Sequence, residues 1–166
     1  MILNPSYFEG ELTIGQVGEA VDDDFALSEA ANVFVKKYEP IFYRATIGET
    51  LYRQILDGIE PSSEPPPEQQ KWLALAERTA PYAAMFVWFY YMQNSATQTS
   101  GVNEIEGATP KPSQLKMARV WNEIVDNIVG MAQWICDRAD DYPDFAPDID
   151  LFRYYELHQH KNHFGI

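Results

Sequence analysis

The stretch that most constrains this chain is Ala83-Ala84-Met85-Phe86-Val87-Trp88-Phe89-Tyr90-Tyr91-Met92, an unbroken apolar run led in by Pro81 and Tyr82. A membrane-spanning helix needs about twenty such residues, so this run is far too short to cross a bilayer. A surface helix shows a polar face opposite its apolar stripe, and this segment has none. A helix that is apolar all round belongs at the centre of a bundle or in an interface between subunits. The rest of the chain must then supply amphipathic helices to wrap it.

Several segments have that pattern. The first is predicted from about Ser28, as N-cap, to Thr46. Ala30, Val33, Phe34, Tyr38, Ile41, Phe42 and Ala45 recur at spacings of three and four and form its expected inner face. Pro40 is expected to kink or split it. After Gly48, the run Glu49 to Leu56 predicts a shorter helix that buries Leu51, Tyr52, Ile55 and Leu56 and stops at Asp57-Gly58. The proline-rich stretch 59–67 reads as an exposed loop. A helix from about Glu68 to Thr79 turns Trp72, Leu73, Leu75 and Ala76 inward, and Pro81 marks a fresh start for the apolar helix. The last long helix is expected from about Ser113 to Ala139, with Leu115, Ala118, Trp121, Val125, Ile128, Ala132, Ile135 and Ala139 inward. At ~1.5 Å per residue it is a rod of roughly 40 Å.

The remaining segments lack a helical period. Residues 1–25 read as an extended arm, in which Glu11 to Val17 alternate like a strand with Leu12 and Ile14 on one face. Asp22-Asp23-Asp24 favours the positive end of the helix that follows. Residues 94–112 carry small polar groups, Gly101, Gly107, Pro110 and Pro112. Such long loops inside compact domains tend to be functional or disordered. Residues 140–166 are acidic and proline-punctuated, then aromatic. The expectation is a mainly α protein, one domain over 1–166. Its compact bundle of about four to five helices occupies 26–139, with an extended N-terminal segment, a long loop before the last helix and an irregular C-terminal tail.

Charge narrows the partners. The chain has 12 Lys and Arg against 25 Asp and Glu, a formal net charge of −13. Nucleic-acid and membrane binders show a basic patch or stripe. Here the densest cationic pair is Lys36-Lys37. Direct binding of nucleic acid or membrane is therefore disfavoured, whereas an acidic wall that repels DNA agrees with the count. No basic segment followed by an apolar one opens the sequence, so the chain is expected to be made and kept in a cytosol. The single cysteine, Cys136, excludes an internal disulfide and reads as a small buried thiol.

The search for catalytic chemistry returns weak signals. His158, His160 and His163 are spaced within reach of one metal ion, but a terminal tail does not guarantee the rigid framework such a site needs, so a polar tail is the better reading. A di-iron bundle would use Glu-x-x-His pairs on facing helices. No histidine lies in a predicted core helix. Asp137, Asp140, Asp141, Asp144, Asp148 and Asp150 lack the glycine and closing glutamate of a calcium loop and read as solvated. Glu123 and Asp126 share a helix face, as on any solvent-facing helix. Neither Ser6 nor Ser100 lies in a G-x-S-x-G elbow, and there is no Gly-rich phosphate loop. The chain is accordingly read as no enzyme, with no cofactor. Its aromatic excess, 9 Phe, 10 Tyr and 4 Trp, suits protein interfaces as well as a core.

Three stretches, in order, carry a resemblance. Phe34-Val35-Lys36-Lys37-Tyr38-Glu39-Pro40 is followed by Ile47-Gly48-Glu49-Thr50-Leu51-Tyr52. Phe86 to Asn94 leads into Thr97-Gln98-Thr99-Ser100-Gly101-Val102, and the third stretch runs from Lys116 through Trp121-Asn122-Glu123-Ile124-Val125. Together they resemble the small head-to-tail connector, or neck, proteins of tailed bacteriophages and prophages, in particular the type carried by Bacteroidetes. The similarity spans most of residues 7–130. Ile47-Gly48 stands where the family pattern has Leu-Gly.

The resemblance implies a structural virion subunit that joins other copies of itself in a ring below the portal, bridges to tail or adaptor proteins, and lets DNA pass without specific binding. It implies assembly in the bacterial cytoplasm and residence in the virion neck. Thr97, Thr99, Gly101, Val102 and Ile105 of the loop, with Phe164 and Ile166 at the C-terminus, are the candidate subunit contacts. Two alternatives stand beside it: a monomeric or dimeric cytosolic adaptor acting through an aromatic-rich face, and a metal-dependent enzyme using the C-terminal histidines.

Overall fold

The computed structural model describes residues 1–14, 27, 29–59, 67–99 and 112–148. The described chain is mainly helical. Two short 3-10 turns, Pro5–Phe8 and Gly10–Leu12, precede α1 (Glu29–Thr46), α2 (Glu49–Gly58), α3 (Pro67–Thr99) and α4 (Pro112–Cys136).

The apolar run lies in the middle of α3, and α3 is the spine of the bundle. α1, α2, α4 and both 3-10 turns all pack on it. From its central stretch Ala80, Ala83, Ala84, Phe86, Val87 and Trp88 are fully buried. Tyr82, Met85, Phe89, Tyr90, Tyr91 and Met92 are half-buried against the same core.

Both internal prolines are accommodated inside continuous helices. Proline offers no amide proton to the carbonyl four residues earlier. Before Pro81, the Thr79 hydroxyl sits 2.8 Å from the Leu75 carbonyl oxygen and 3.3 Å from that of Ala76, which supplies local backbone contacts. The buried alanines 80, 83 and 84 let neighbouring helices approach closely and hold the segment in place. Pro81 therefore starts no new helix, and α3 also runs through Asn94–Thr99, where a loop was expected. At about 1.5 Å per residue α3 is roughly 50 Å long.

Two helical faces differ from the periodicity reading. On α1 the buried set is Ala31, Val35, Glu39, Phe42, Tyr43, Ala45 and Thr46. Phe34 and Tyr38 are half-buried, and Ala30, Val33 and Ile41 face solvent. On α4 the core side is Val120, Trp121, Ile124, Ile128, Met131 and Ile135. Leu115 is exposed, Ala118, Val125 and Ala132 lie at the boundary, and Ala139 falls in turns beyond the helix. Each helix carries two adjacent apolar stripes, and the period alone does not say which one meets α3.

Gly48 makes the corner between α1 and α2. Its φ of +94° is in the left-handed region, and a Cβ there would lie 2.7 Å from the Ala146 carbonyl oxygen. The amides of Ile47 and Gly48 both donate to the Tyr43 carbonyl, at 2.9 and 3.2 Å, and so close α1. The chain after α4 returns to this corner: Ala146 N–H donates to the Ile47 carbonyl at 3.2 Å and Asp148 N–H to the Ala45 carbonyl at 2.8 Å.

At the N-terminus Asn4 caps the first turn by accepting the Ser6 amide at 3.0 Å, with Pro5 opening it. Gly10–Leu12 is a 3-10 turn where alternation suggested a strand, yet Ile14 is buried and Leu12 packs against the core. Residues 15–17 of that segment lie outside the described residues.

Candidate protein-contact surface

Two polar and aromatic arrangements stand out from the packing. The first is buried. Glu39 is 1% exposed on the inner face of α1. Its carboxylate accepts the Ile2 amide at 3.0 and 3.2 Å, the Leu3 amide at 2.8 Å and the Tyr52 hydroxyl at 3.2 Å. The N-terminal arm, α1 and α2 are thus tied to one carboxylate. Beside it the Tyr43 and Tyr52 rings stack, with centroids 5.1 Å apart and planes 5° apart, and the Thr79 hydroxyl of α3 lies 3.2 Å from that of Tyr43.

Burial holds the Tyr43 phenol far above its ordinary value, and the nearby Glu39 charge adds to this. Burial, then the Glu39 charge and hydrogen bond, do the same for Tyr52. A phenol so reluctant to ionise is a poor acid or base at neutral pH. With every donor pointed at Glu39 from within the fold, this network holds the structure together.

The second arrangement runs across α3 from α1 on one side to α4 on the other and reaches the surface. Tyr38 and Tyr90 stack with centroids 4.4 Å apart and planes 8° apart. Phe34 meets the edge of Tyr91 at 5.4 Å, Phe86 packs on Tyr90 at 4.9 Å, and Phe89 on Trp121 at 4.5 Å. Tyr90 also meets Trp121 at 6.4 Å, so the rings run without a break from α1 across α3 to α4. Phe86 and Trp121 are buried, whereas Phe34, Tyr38, Phe89, Tyr90 and Tyr91 are half-buried. The Lys37 ammonium lies 4.9 Å from the Tyr38 ring centre at the rim. Half-buried aromatics with a cation at the edge combine large apolar area with wettable tips, the composition of a protein-contact patch.

The residues singled out from sequence are distributed as follows. Thr97 and Thr99 lie in the last turn of α3. Gly101, Val102, Ile105, His158, His160, His163, Phe164 and Ile166 lie outside the described residues, as does Asp150. Asp137, Asp140, Asp141 and Asp144 occupy the turns after α4. Asp137 accepts from Gln133 at 2.8 Å and Asp144 from Gln54 at 2.7 Å. Among the described residues no three His, Cys, Asp or Glu side chains gather where they could hold a metal ion. Cys136 is exposed, contrary to the buried reading, because Ile135 takes the core position and leaves Cys136 one step further round α4.

Glu39 was not singled out from sequence. Its signal was available: it falls on the stripe Val35, Glu39, Phe42, Thr46, which the structure buries. A carboxylate in that register requires donors from elsewhere in the fold.

No described helix is long and apolar enough to cross a membrane. No protein-family description, curated protein or solved structure matches this chain.

Proposed function

We propose that this chain is a structural subunit of a tailed-phage or prophage particle, a head-to-tail connector that bridges portal and tail by protein–protein contacts. The ordered resemblance of the three stretches over residues 7–130 motivates the reading. The observation that carries it is the continuous run of aromatic rings from the half-buried Phe34, Tyr38 and Tyr90 to the buried Trp121, since the first two resembling stretches contribute Phe34, Tyr38, Tyr90 and Tyr91 and the third contributes Trp121.

In this reading copies of the chain form a ring, assembled in the bacterial cytoplasm and retained in the virion neck, with portal and tail or adaptor proteins as neighbours. The net charge of −13 keeps phosphates from adhering as DNA passes. No cofactor takes part.

The test is mass spectrometry of particles purified after inducing the source bacterium. The chain should appear at a fixed, low copy number relative to the major capsid protein. Its absence from complete particles overturns the connector role. The aromatic patch equally suits a cytosolic adaptor, and in that case pull-downs should lose their partner when Tyr38 and Tyr91 are replaced by alanine.

A further inference from the structure

After α4 the chain returns to the corner at Gly48 and then follows α1 in reverse. Ala146 N–H donates to the Ile47 carbonyl at 3.2 Å, and Asp148 N–H to the Ala45 carbonyl at 2.8 Å. Two residues forward in this segment meet two residues back toward α1, so its course is antiparallel to the helix and points toward Tyr38 and Phe34. Phe34, Tyr38 and Ala45 stand four and seven residues apart, spacings that place them on one stripe of α1. Ala45 is buried, whereas Tyr38 and Phe34 are half-buried.

The sequence that comes next suits that stripe. Ile149-Asp150-Leu151-Phe152-Arg153-Tyr154-Tyr155 has large apolar or aromatic side chains at five of its seven positions, and it lies outside the described residues. The reach agrees as well. Along the helix, Tyr38 is about 10 Å from Ala45 and Phe34 about 16 Å. Extended chain advances about 3.3 Å per residue, so three to five residues beyond Asp148 cover that distance. Leu151, Phe152 and Arg153 then come level with Tyr38 and Phe34, whose rings meet Tyr90 and Tyr91 of α3.

We propose that Leu151–Tyr155 docks on the Phe34, Tyr38, Tyr90 and Tyr91 surface of its own chain. The docking needs no assembly. Its consequence rests on the connector reading: the segment occupies the contact surface until a neighbouring subunit displaces it. Being tethered at Asp148, it competes at high effective concentration, so each subunit keeps the surface covered while alone.

Trypsin tests the docking on the unaltered protein, because Arg153 and Lys161 are the two cleavage sites beyond residue 148. Arg153 lies within the proposed segment and Lys161 outside it. Cleavage after Arg153 should be at least ~tenfold slower than after Lys161, because a protease cuts only the released segment. Tyr38→Ala/Tyr91→Ala, with unchanged circular dichroism, should bring the two rates to within about twofold. Equal rates in the wild type overturn the proposal, as does protection of Arg153 that survives this double variant.

A nitroxide on Arg153→Cys in a Cys136→Ala background locates the segment. It should broaden the amide signals of residues 34–38 and 90–92 within the labelled chain. An equimolar mixture of labelled chain and isotope-enriched, unlabelled chain should show no such broadening. Broadening in the mixture means that a second copy is the occupant and overturns docking within the chain, as does broadening confined to other parts of the fold. Particle composition is read separately. A virion protein with unprotected Arg153 sinks the docking alone, and a protected chain missing from particles sinks the connector role alone.

Discussion

The carboxylate of Glu39 accepts the backbone amide of Leu3 across 36 residues of sequence at 2.8 Å. Ile2 and Tyr52 donate to the same group, and Glu39 is 1% exposed. Hydrogen bonds to a charged group each contribute more than neutral ones, and removing the acceptor leaves buried donors unmatched. Glu39→Ala should therefore cost about 3–4 kcal/mol, and Glu39→Gln, which keeps one acceptor oxygen, roughly 1–2 kcal/mol. Limited proteolysis should cut the first residues faster in both variants while sparing α3. A urea midpoint for Glu39→Ala equal to that of the wild type would refute the clasp.

Alkaline stability follows from Tyr43 and Tyr52. Both phenols titrate well above their ordinary value of 10.0 in the folded chain, chiefly because burial disfavours the phenolate. Above about pH 10 the unfolded chain loses these protons while the folded chain keeps them. Ionisation then favours unfolding, so stability is full below pH 10 and falls as pH rises beyond it. For a fully buried phenol such as Tyr43 the slope is about 1.4 kcal/mol per pH unit. Denaturant midpoints at pH 9, 10 and 11 check this, and Tyr43→Phe should flatten the decline. A midpoint that stays level through pH 11 in the wild type contradicts the assignment.

The fold was legible where one physical demand dominated. An apolar run without a polar face had to be covered, at the centre of a bundle or in an interface, and α3 takes the central position. The corner at Gly48 and the extent of α2 followed from turn chemistry. The facing of α1 and α4 was not legible, because Val33 and Ile41, or Leu115, keep a helical period as well as the residues that are buried. Choosing between adjacent stripes needs the partner helix. Glu39 escaped for a related reason: its donors come from Ile2, Leu3 and Tyr52, far from it in sequence. The misread residues Val33, Ile41 and Leu115 are apolar groups that the fold leaves outside.

Gly48 should tolerate no side chain. Its φ of +94° strains any L-residue, and an added Cβ would press on backbone at Ala146 that is itself held by the Ile47 carbonyl. Neither side has a flexible chain end to move. Gly48→Ala should cost about 2–4 kcal/mol, combining backbone strain with displacement of the returning segment. The expected signature is a lowered thermal midpoint together with faster proteolysis near residues 143–148. A loss below about 0.5 kcal/mol would show that the corner relaxes freely.

Pro81 offers a change in the opposite direction. It is exposed on α3, and helix continues on both sides of it. Its ring donates nothing to the Glu77 carbonyl, a loss that interior prolines generally exact at about 3 kcal/mol. Alanine would restore the amide and its bond. Part of the gain is offset because proline also restricts the unfolded chain, leaving a net stabilisation of roughly 1–2 kcal/mol for Pro81→Ala. The Thr79 hydroxyl, 2.8 Å from the Leu75 carbonyl, should then matter less, so Thr79→Val should be better tolerated in the Pro81→Ala background than alone. Thermal midpoints of the two single variants and the double variant test both statements. A destabilised Pro81→Ala would mean that α3 bends at this point and that the bundle packs against the bend.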